Sequence, residues 1–288
     1  MEIGIGLPVT VPGFDGPAVA DWARRAEESG FASLGALDRL VYDNGDALTA
    51  LSVAAGATTT IRLATTVLVA GYHGSPPLLA KRLATLDRLS GGRLVVGLGA
   101  GGRADDFAAT GAPYDDRGRR SEAIVTALRA GWTASGPGTV GPAPAQPEIP
   151  IVLGGRADAV FDRVGRLAQG WIGAGGGPRL FAGFAERVRE SWAAHGRTGE
   201  PRLMSIGYFC LGPGARAAAD AHLTDYYSFL GAPAAFVAAS ALTDAAAVAE
   251  AAHGYAEAGC DELILFPCRS DLDQVGALAS VLADLTLG

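Results

Sequence analysis

The run RLVVGLGAGGRADDFAATGAPYDDRGRRSE, Arg93 to Glu122, decides how the rest of the chain is read. Leu94 to Leu98 are apolar or small with no polar alternation, the pattern of a parallel strand buried on both faces. The strand breaks into Gly99, Gly101 and Gly102 and then into Arg103, Asp105 and Asp106, which predicts a site at its carboxyl end. Gly97, Gly99 and Gly102 also spell G-x-G-x-x-G. That dinucleotide fingerprint needs a helix directly after it and an acidic residue at the end of a further strand. The residues after Gly102 show no helical periodicity before Asp116, and Glu122 falls inside the helix expected there. The glycines therefore read as thinned backbone at a strand end.

Working outward, seven more short apolar runs alternate with helical patterns: Ile3–Leu7, Phe31–Leu37, Ile61–Val69, Ile149–Leu153, Gly170–Ala174, Leu203–Leu211 and Glu262–Phe266. Thr133 to Pro150 is rich in Gly and Pro, an irregular insertion before the fifth strand and too short to separate domains. Eight parallel-type strands alternating evenly with helices predict a single (β/α)8 barrel over residues 1–288, in preference to a doubly wound sheet.

Composition narrows the chemistry. A net charge of −7 without a basic cluster argues against nucleic acid or an anionic membrane as partner. The opening MEIGIGLPVT lacks a positively charged export signal, and no apolar run approaches the ~20 residues of a membrane span. Cys210, Cys260 and Cys268 are odd in number and form no C-x-x-C, which predicts reduced thiols and a cytoplasmic protein. The only lysine, Lys81, lies in an amphipathic run, so Schiff-base chemistry is not expected. The histidines, His73, His195, His222 and His253, have no metal-ligand spacing, and no metal site is expected.

Barrel active sites are built at the carboxyl ends of the strands. Three of those ends are glycine-dense: Gly99 to Gly102, Gly154 to Gly155, and Gly173 to Gly177. Exposed amides next to a helix start bind anions. Together these loops predict a flat or phosphorylated ligand over the barrel mouth, the alternative being that glycine merely permits tight turns.

Five segments carry a resemblance. They are GFASLGALDRL (30–40), TTIRLATTVLVA (59–70), LLAKRLATLDRLSGGRLVVGLGAGGRADDFAATGAPYDDRGRRSEAI (78–124), IPIVLGGRADAVFDRVGRLAQGWI (149–172) and YAEAGCDELILFP (255–267). In this order they resemble the luciferase-like flavin-dependent oxidoreductases. The resemblance implies a barrel that binds FMN, or its deazaflavin analogue coenzyme F420, and oxidises or reduces a small organic substrate. Monooxygenation with reduced FMN and oxygen is the first expectation and hydride transfer with F420 the second. A non-catalytic flavin binder, or a lyase or isomerase of a phosphorylated ligand on the same barrel, is the reading from another class. A flavin reductase as supplier and a homodimer are implied in the same way.

Carried over by position, Val67, Val69 and Ala70 match the bulge that supports the flavin ring, and Gly99, Gly101 and Gly102 border it. Gly154, Gly155, Gly175, Gly176 and Gly177 would hold the phosphate. Where many members have Asp-His after the second strand this chain has Asp38–Arg39, and Arg keeps its proton near neutrality. Arg39 either offsets an anion of the reduced flavin or substrate, or forms a rim ion pair with Asp38 or Asp43. His73 is the histidine in a strand-end loop and the candidate acid/base, so Asp38, Arg39 and His73 form the expected catalytic set. Arg103, Asp106 and Tyr208 are the expected substrate contacts, with a cap of the following turn as the alternative for Asp106 and barrel packing as the alternative for Tyr208. Gln169 replaces the usual Asp of an Asp-Gly-Trp, which puts a local contact in question. Arg119 and Glu122, three apart, are expected to pair on the surface of the helix that follows.

Overall fold

The computed structural model describes residues 1–283 and 285, so 284 and 286–288, which the sequence reading placed in the same domain, lie outside the described residues. Eight strands close into one parallel barrel in chain order, with β8 paired back to β1. They are β1 (Glu2–Gly6), β2 (Ser33–Ala36), β3 (Arg62–Val69), β4 (Leu94–Gly99), β5 (Ile151–Gly154), β6 (Gly170–Ala174), β7 (Arg202–Phe209) and β8 (Glu262–Pro267). Each lies within two residues of its expected bounds, because a strand buried on both faces leaves an unbroken apolar run.

The helices α1 (Gly16–Glu28), α2 (Ala47–Ala57), α3 (Pro76–Leu89), α4 (Ala104–Thr110), α5 (Arg117–Thr133), α6 (Asp158–Leu167) and α7 (Gly177–Ala194) follow the first six strands. After β7 come α8 (Ala215–Tyr226), a 3-10 turn at Ser228–Leu230, α9 (Ala234–Ala239) and α10 (Ala245–Glu257), and α11 (Asp273–Ala283) follows β8. One shell of the core lies between strands and helices, with Trp22, Leu51, Leu83, Leu128 and Trp171 fully buried in it. The other fills the barrel, where Ala64, Val95, Ile172, Ile206, Tyr208 and Phe266 meet.

The helix α4 corrects the sequence reading, which left Arg103 to Asp115 without one. Its seven residues bury only Asp106 and Phe107, too few to write a period into the sequence. At the amino-terminal end of the barrel, Glu262 is 1% exposed and is held by Arg202 at 2.5 Å and Arg62 at 3.5 Å, with Glu2 bridging both arginines. The insertion before β5 is pinned to α3. Buried Asp87 accepts hydrogen bonds from the Ala145 and Gln146 amides and the Gln146 side chain, and Lys81 Nζ donates to the Gly141 carbonyl at 2.8 Å.

Candidate active site

The carboxyl end of β3 shapes the mouth. Pairing with β4 shifts register between Thr65 and Leu68, a bulge that turns Val67 inward. A Cβ on Gly99 would come within 2.7 Å of the Val67 side chain, one on Gly154 within 3.1 Å, and one on Gly101 within 2.4 Å of Val69. These three glycines let β4 and β5 close onto the bulge, and side chains there would fill the floor of the mouth. The floor opens into a cavity of about 530 Å3 lined by Thr66, Val67, Gly99, Gly101, Gly154, Gly155, Ile172, Gly173, Ala174 and Ile206 among others.

Three cations face this cavity: Arg117, Arg156 and Arg163. Among the described residues, no carboxylate lines it. Arg117 is oriented by the Gly101 carbonyl at 3.0 Å and the Tyr114 carbonyl at 2.9 Å, and its guanidinium stacks 3.8 Å from the Tyr114 ring centre. Arg156 donates to the carbonyls of Ala174 and Gly175. Arg163 is steered by Glu122 at 3.3 Å and lies over Gly118, where a Cβ would be 3.3 Å from Nη2. Gly118 in the first turn of α5, and Ala157, Ala159 and Val160 at the start of α6, also line the cavity. These first turns place the positive ends of two helices at the cavity; the Val160 amide is itself engaged by the Ala157 carbonyl at 2.7 Å.

A second cluster closes the β2 side. His73 Nε2 lies 2.8 Å from Asp38 Oδ2, which also accepts the Val69 amide at 2.8 Å. Burial alone would raise the Asp38 carboxyl, but the hydrogen bond and charge of His73, with the Val69 amide, outweigh it and hold it below its ordinary value. Asp106 takes the amides of Leu40 and Val41 and pairs with Arg103 Nε at 2.7 Å, while Arg103 Nη2 donates to the Asp38 carbonyl at 2.6 Å. Arg39 is 8% exposed and donates to the Tyr226 carbonyl. On the β7 side the hydroxyls of Tyr208 and Tyr227 are 2.6 Å apart, and burial pushes the Tyr208 phenol well above its ordinary value.

The structure brings Val67, Gly99, Gly101, Gly154 and Gly155 to one cavity and Asp38, His73, Arg39 and Arg103 to a neighbouring cluster. Val69 and Ala70 are buried below the floor rather than in it, and Gly102, Gly175, Gly176 and Gly177 lie outside the cavity lining. The last three take positive φ and turn the chain into α7. Asp106 ties the β2 loop to α4 instead of lining a pocket, and neither expected rim pair of Arg39, with Asp38 or Asp43, is formed among the described residues. Glu122 pairs with Arg163 and Arg166, and Arg119 with Asp116, instead of with each other. At the position of the missing acid, the Gln169 carbonyl oxygen accepts from Arg129 at 3.0 Å and from the Ile151 amide at 2.9 Å. Arg163 was invisible as a site residue because a mid-helix arginine reads as surface. Tyr227 left no signal beyond its place beside Tyr226.

The family model for luciferase-like monooxygenases matches residues 1–264. The chain belongs to that family. An FMNH2-dependent dimethylsulfone monooxygenase of Pseudomonas putida is 32% identical over 137 residues, covering 42% of this chain and 38% of its own. An F420-dependent glucose-6-phosphate dehydrogenase of Kribbella flavida is 28% identical over 204 residues, covering 67% and 58%. An uncharacterized protein of Mycobacterium tuberculosis is 35% identical over 176 residues, 56% of this chain and 61% of its own. The chain thus spans less than two thirds of the length of these relatives. A solved F420-dependent secondary alcohol dehydrogenase superposes with a TM-score of 0.81 at 16% identity over 98% of both chains, which establishes the shared barrel. Of these relatives one is named for FMNH2 and another for F420, and no described helix here is long and apolar enough to cross a membrane.

Proposed function

We propose that this protein is an FMN-dependent monooxygenase that uses reduced flavin and oxygen on a small organic substrate. The observation that carries the flavin reading is the cavity. Its floor is flattened by Gly99, Gly101 and Gly154, and its lining holds three arginines and no described acid. A flat ring on the Val67 bulge with its phosphate among Arg117, Arg156 and Arg163 satisfies both halves. When bound, the flavin supplies the two-electron redox chemistry.

The chain's own groups position and exchange protons. Ionised Asp38 accepts the Nε2 proton of His73, which fixes the tautomer and leaves Nδ1 as the atom that takes up or gives a proton. This loop histidine takes the place of the imidazole that Arg39 displaces. The Ile172 and Ile206 side chains at the cavity wall keep water from the ring. The protein works in the cytoplasm as a homodimer supplied by a flavin reductase in this reading.

A second reading, hydride transfer with F420, is favoured by the number of cations, since three arginines exceed what one phosphate monoester needs. Titration with oxidised FMN, reduced FMN and F420, followed by fluorescence and heat, separates the two. Reduced FMN is expected to bind with a Kd in the micromolar range, about −8 kcal/mol. Tight binding of F420 alone selects hydride transfer. Absence of binding by all three points to the lyase or isomerase reading.

A further inference from the structure

We infer that Arg39 is the receptor for a carboxylate, so that the substrate is an apolar organic acid entering on the β2–α8 side of the mouth. The inference rests on the oxidoreductase reading above only in treating this side as the substrate's.

Arg39 is a buried cation without an anion. It is 8% exposed, and among the described residues no carboxylate oxygen lies within 4.0 Å of its nitrogens. Its one hydrogen bond runs from Nη1 to the Tyr226 carbonyl, and Nε is buried without a partner. Arg103, two loops away, shows the ordinary solution to the same problem: its Nε meets the Asp106 carboxylate at 2.7 Å. Buried charges are paired as a rule, because the desolvation cost of an isolated ion is severe. Around Arg39 the partial compensation comes from rings instead. Its guanidinium carbon lies 4.3 Å from the Tyr42 ring centre, 4.9 Å from Tyr226 and 5.4 Å from Phe229.

Rings pack against the guanidinium but offer no acceptor for its N–H groups. With Nη1 engaged, the unbonded edge is Nε with Nη2, the two parallel donors that fit the two oxygens of one carboxylate. A neutral oxygen would use one of them and leave the charge unmatched.

The surroundings choose the rest of the molecule. Next to Arg39, the Tyr42 hydroxyl of the β2 loop donates to Asp225 at the end of α8 at 2.5 Å, and this loop and the turn after α8 expose Leu40 at 47%, Val41 at 41%, Phe229 at 37% and Leu230 at 40%. An apolar lip above a buried cation suits an acid with a hydrocarbon body better than a sugar acid or a phosphate. Phe229 has to swing off the guanidinium for the acid to seat.

The test is calorimetric titration of the full chain with octanoate and with 1-octanol, which share a chain and differ in charge. The parent is expected to bind octanoate at least tenfold more tightly than octanol. Arg39→Gln should erase that preference while leaving FMN or F420 affinity unchanged. Arg39→Lys, which keeps the charge but not the fork, should retain part of it and guards against misreading a folding defect. Equal binding of the two probes by the parent, binding of neither, or an octanoate preference that survives Arg39→Gln would overturn the inference. Loss of cofactor binding in folded Arg39→Gln would also overturn it, by placing Arg39 in the cofactor site. Cofactor titration of the parent stands apart: its failure refutes the oxidoreductase reading, and its success with no octanoate preference refutes only the carboxylate receptor.

Discussion

His222 shows what burial does to a titratable group at the mouth. It faces inward from α8 with both ring nitrogens buried and unbonded, and its ring centre lies 5.9 Å from that of Tyr226. Burial lowers the imidazole from 6.5 to about 4, against a smaller upward pull from Asp225. The folded state therefore resists the proton that the unfolded chain accepts. Between pH 6.5 and about 4 the unfolded state binds more protons, so stability is full above that window and falls as pH drops through it. A shift of this size corresponds to on the order of 3 kcal/mol at the acid end. Urea unfolding across the window should show this loss in the parent, and His222→Leu should flatten the curve. An unchanged slope in the variant would assign the acid sensitivity to other groups. Buried Asp38 has the opposite outcome: His73 and the Val69 amide hold its carboxyl below the ordinary value despite burial.

At the level of elements, the eight strands were legible because burial on two faces writes continuous apolar runs. The contacts between elements were not, because they depend on single polar atoms far apart in sequence. Asp87 is the clearest case. Within α3 it reads as one acid in an amphipathic helix, yet it is 0% exposed and its carboxylate gathers three donors from Ala145 and Gln146. That anchor turns the Gly- and Pro-rich insertion before β5 into a fixed strap over α3 and α5. Asp87→Ala would strand those donors, at a cost of about 3 kcal/mol. Amide exchange is expected to accelerate across residues 134–148 before it does in the strands, because the strap opens locally. Uniform acceleration throughout the barrel would mean that the strap and the barrel unfold together. The helix α4 and the replacement of the missing acid by Gln169 were illegible for the same reason. Short elements and local exchanges carry no period. Of the candidate site, the glycines that thin β4 and β5 were readable from their spelling. Arg163 of α6 was not assignable, since a mid-helix arginine looks like a surface residue until the fold brings it to the cavity.

The whole molecule carries a net charge of −7, while the cavity at the barrel mouth is lined by three arginines and no described acid. These two facts oppose each other for an anionic ligand. At long range the chain repels it, and inside the cavity the cations attract it across distances shorter than the Debye length, which is about 8 Å at physiological salt. The exposed acids are largely screened, whereas Arg117, Arg156 and Arg163 line one cavity and lie within a Debye length of a ligand bound there, so the local term wins. Salt should therefore weaken binding of a phosphorylated flavin. Riboflavin supplies the control, because it keeps the ring and lacks the phosphate. If the ring rests on the Val67 bulge and the phosphate lies among the arginines, FMN should bind more tightly than riboflavin by a factor that shrinks as salt rises. Between about 0.01 M and 1 M the Debye length contracts from about 30 Å to about 3 Å. Riboflavin affinity should hardly move over the same range. Arg163→Gln should lower the FMN advantage and its salt dependence together, leaving riboflavin binding as it was, since the neutral ring makes no use of that cation. If FMN and riboflavin respond to salt alike, the three arginines do not face the phosphate, and the ligand lies in the cavity the other way round or elsewhere.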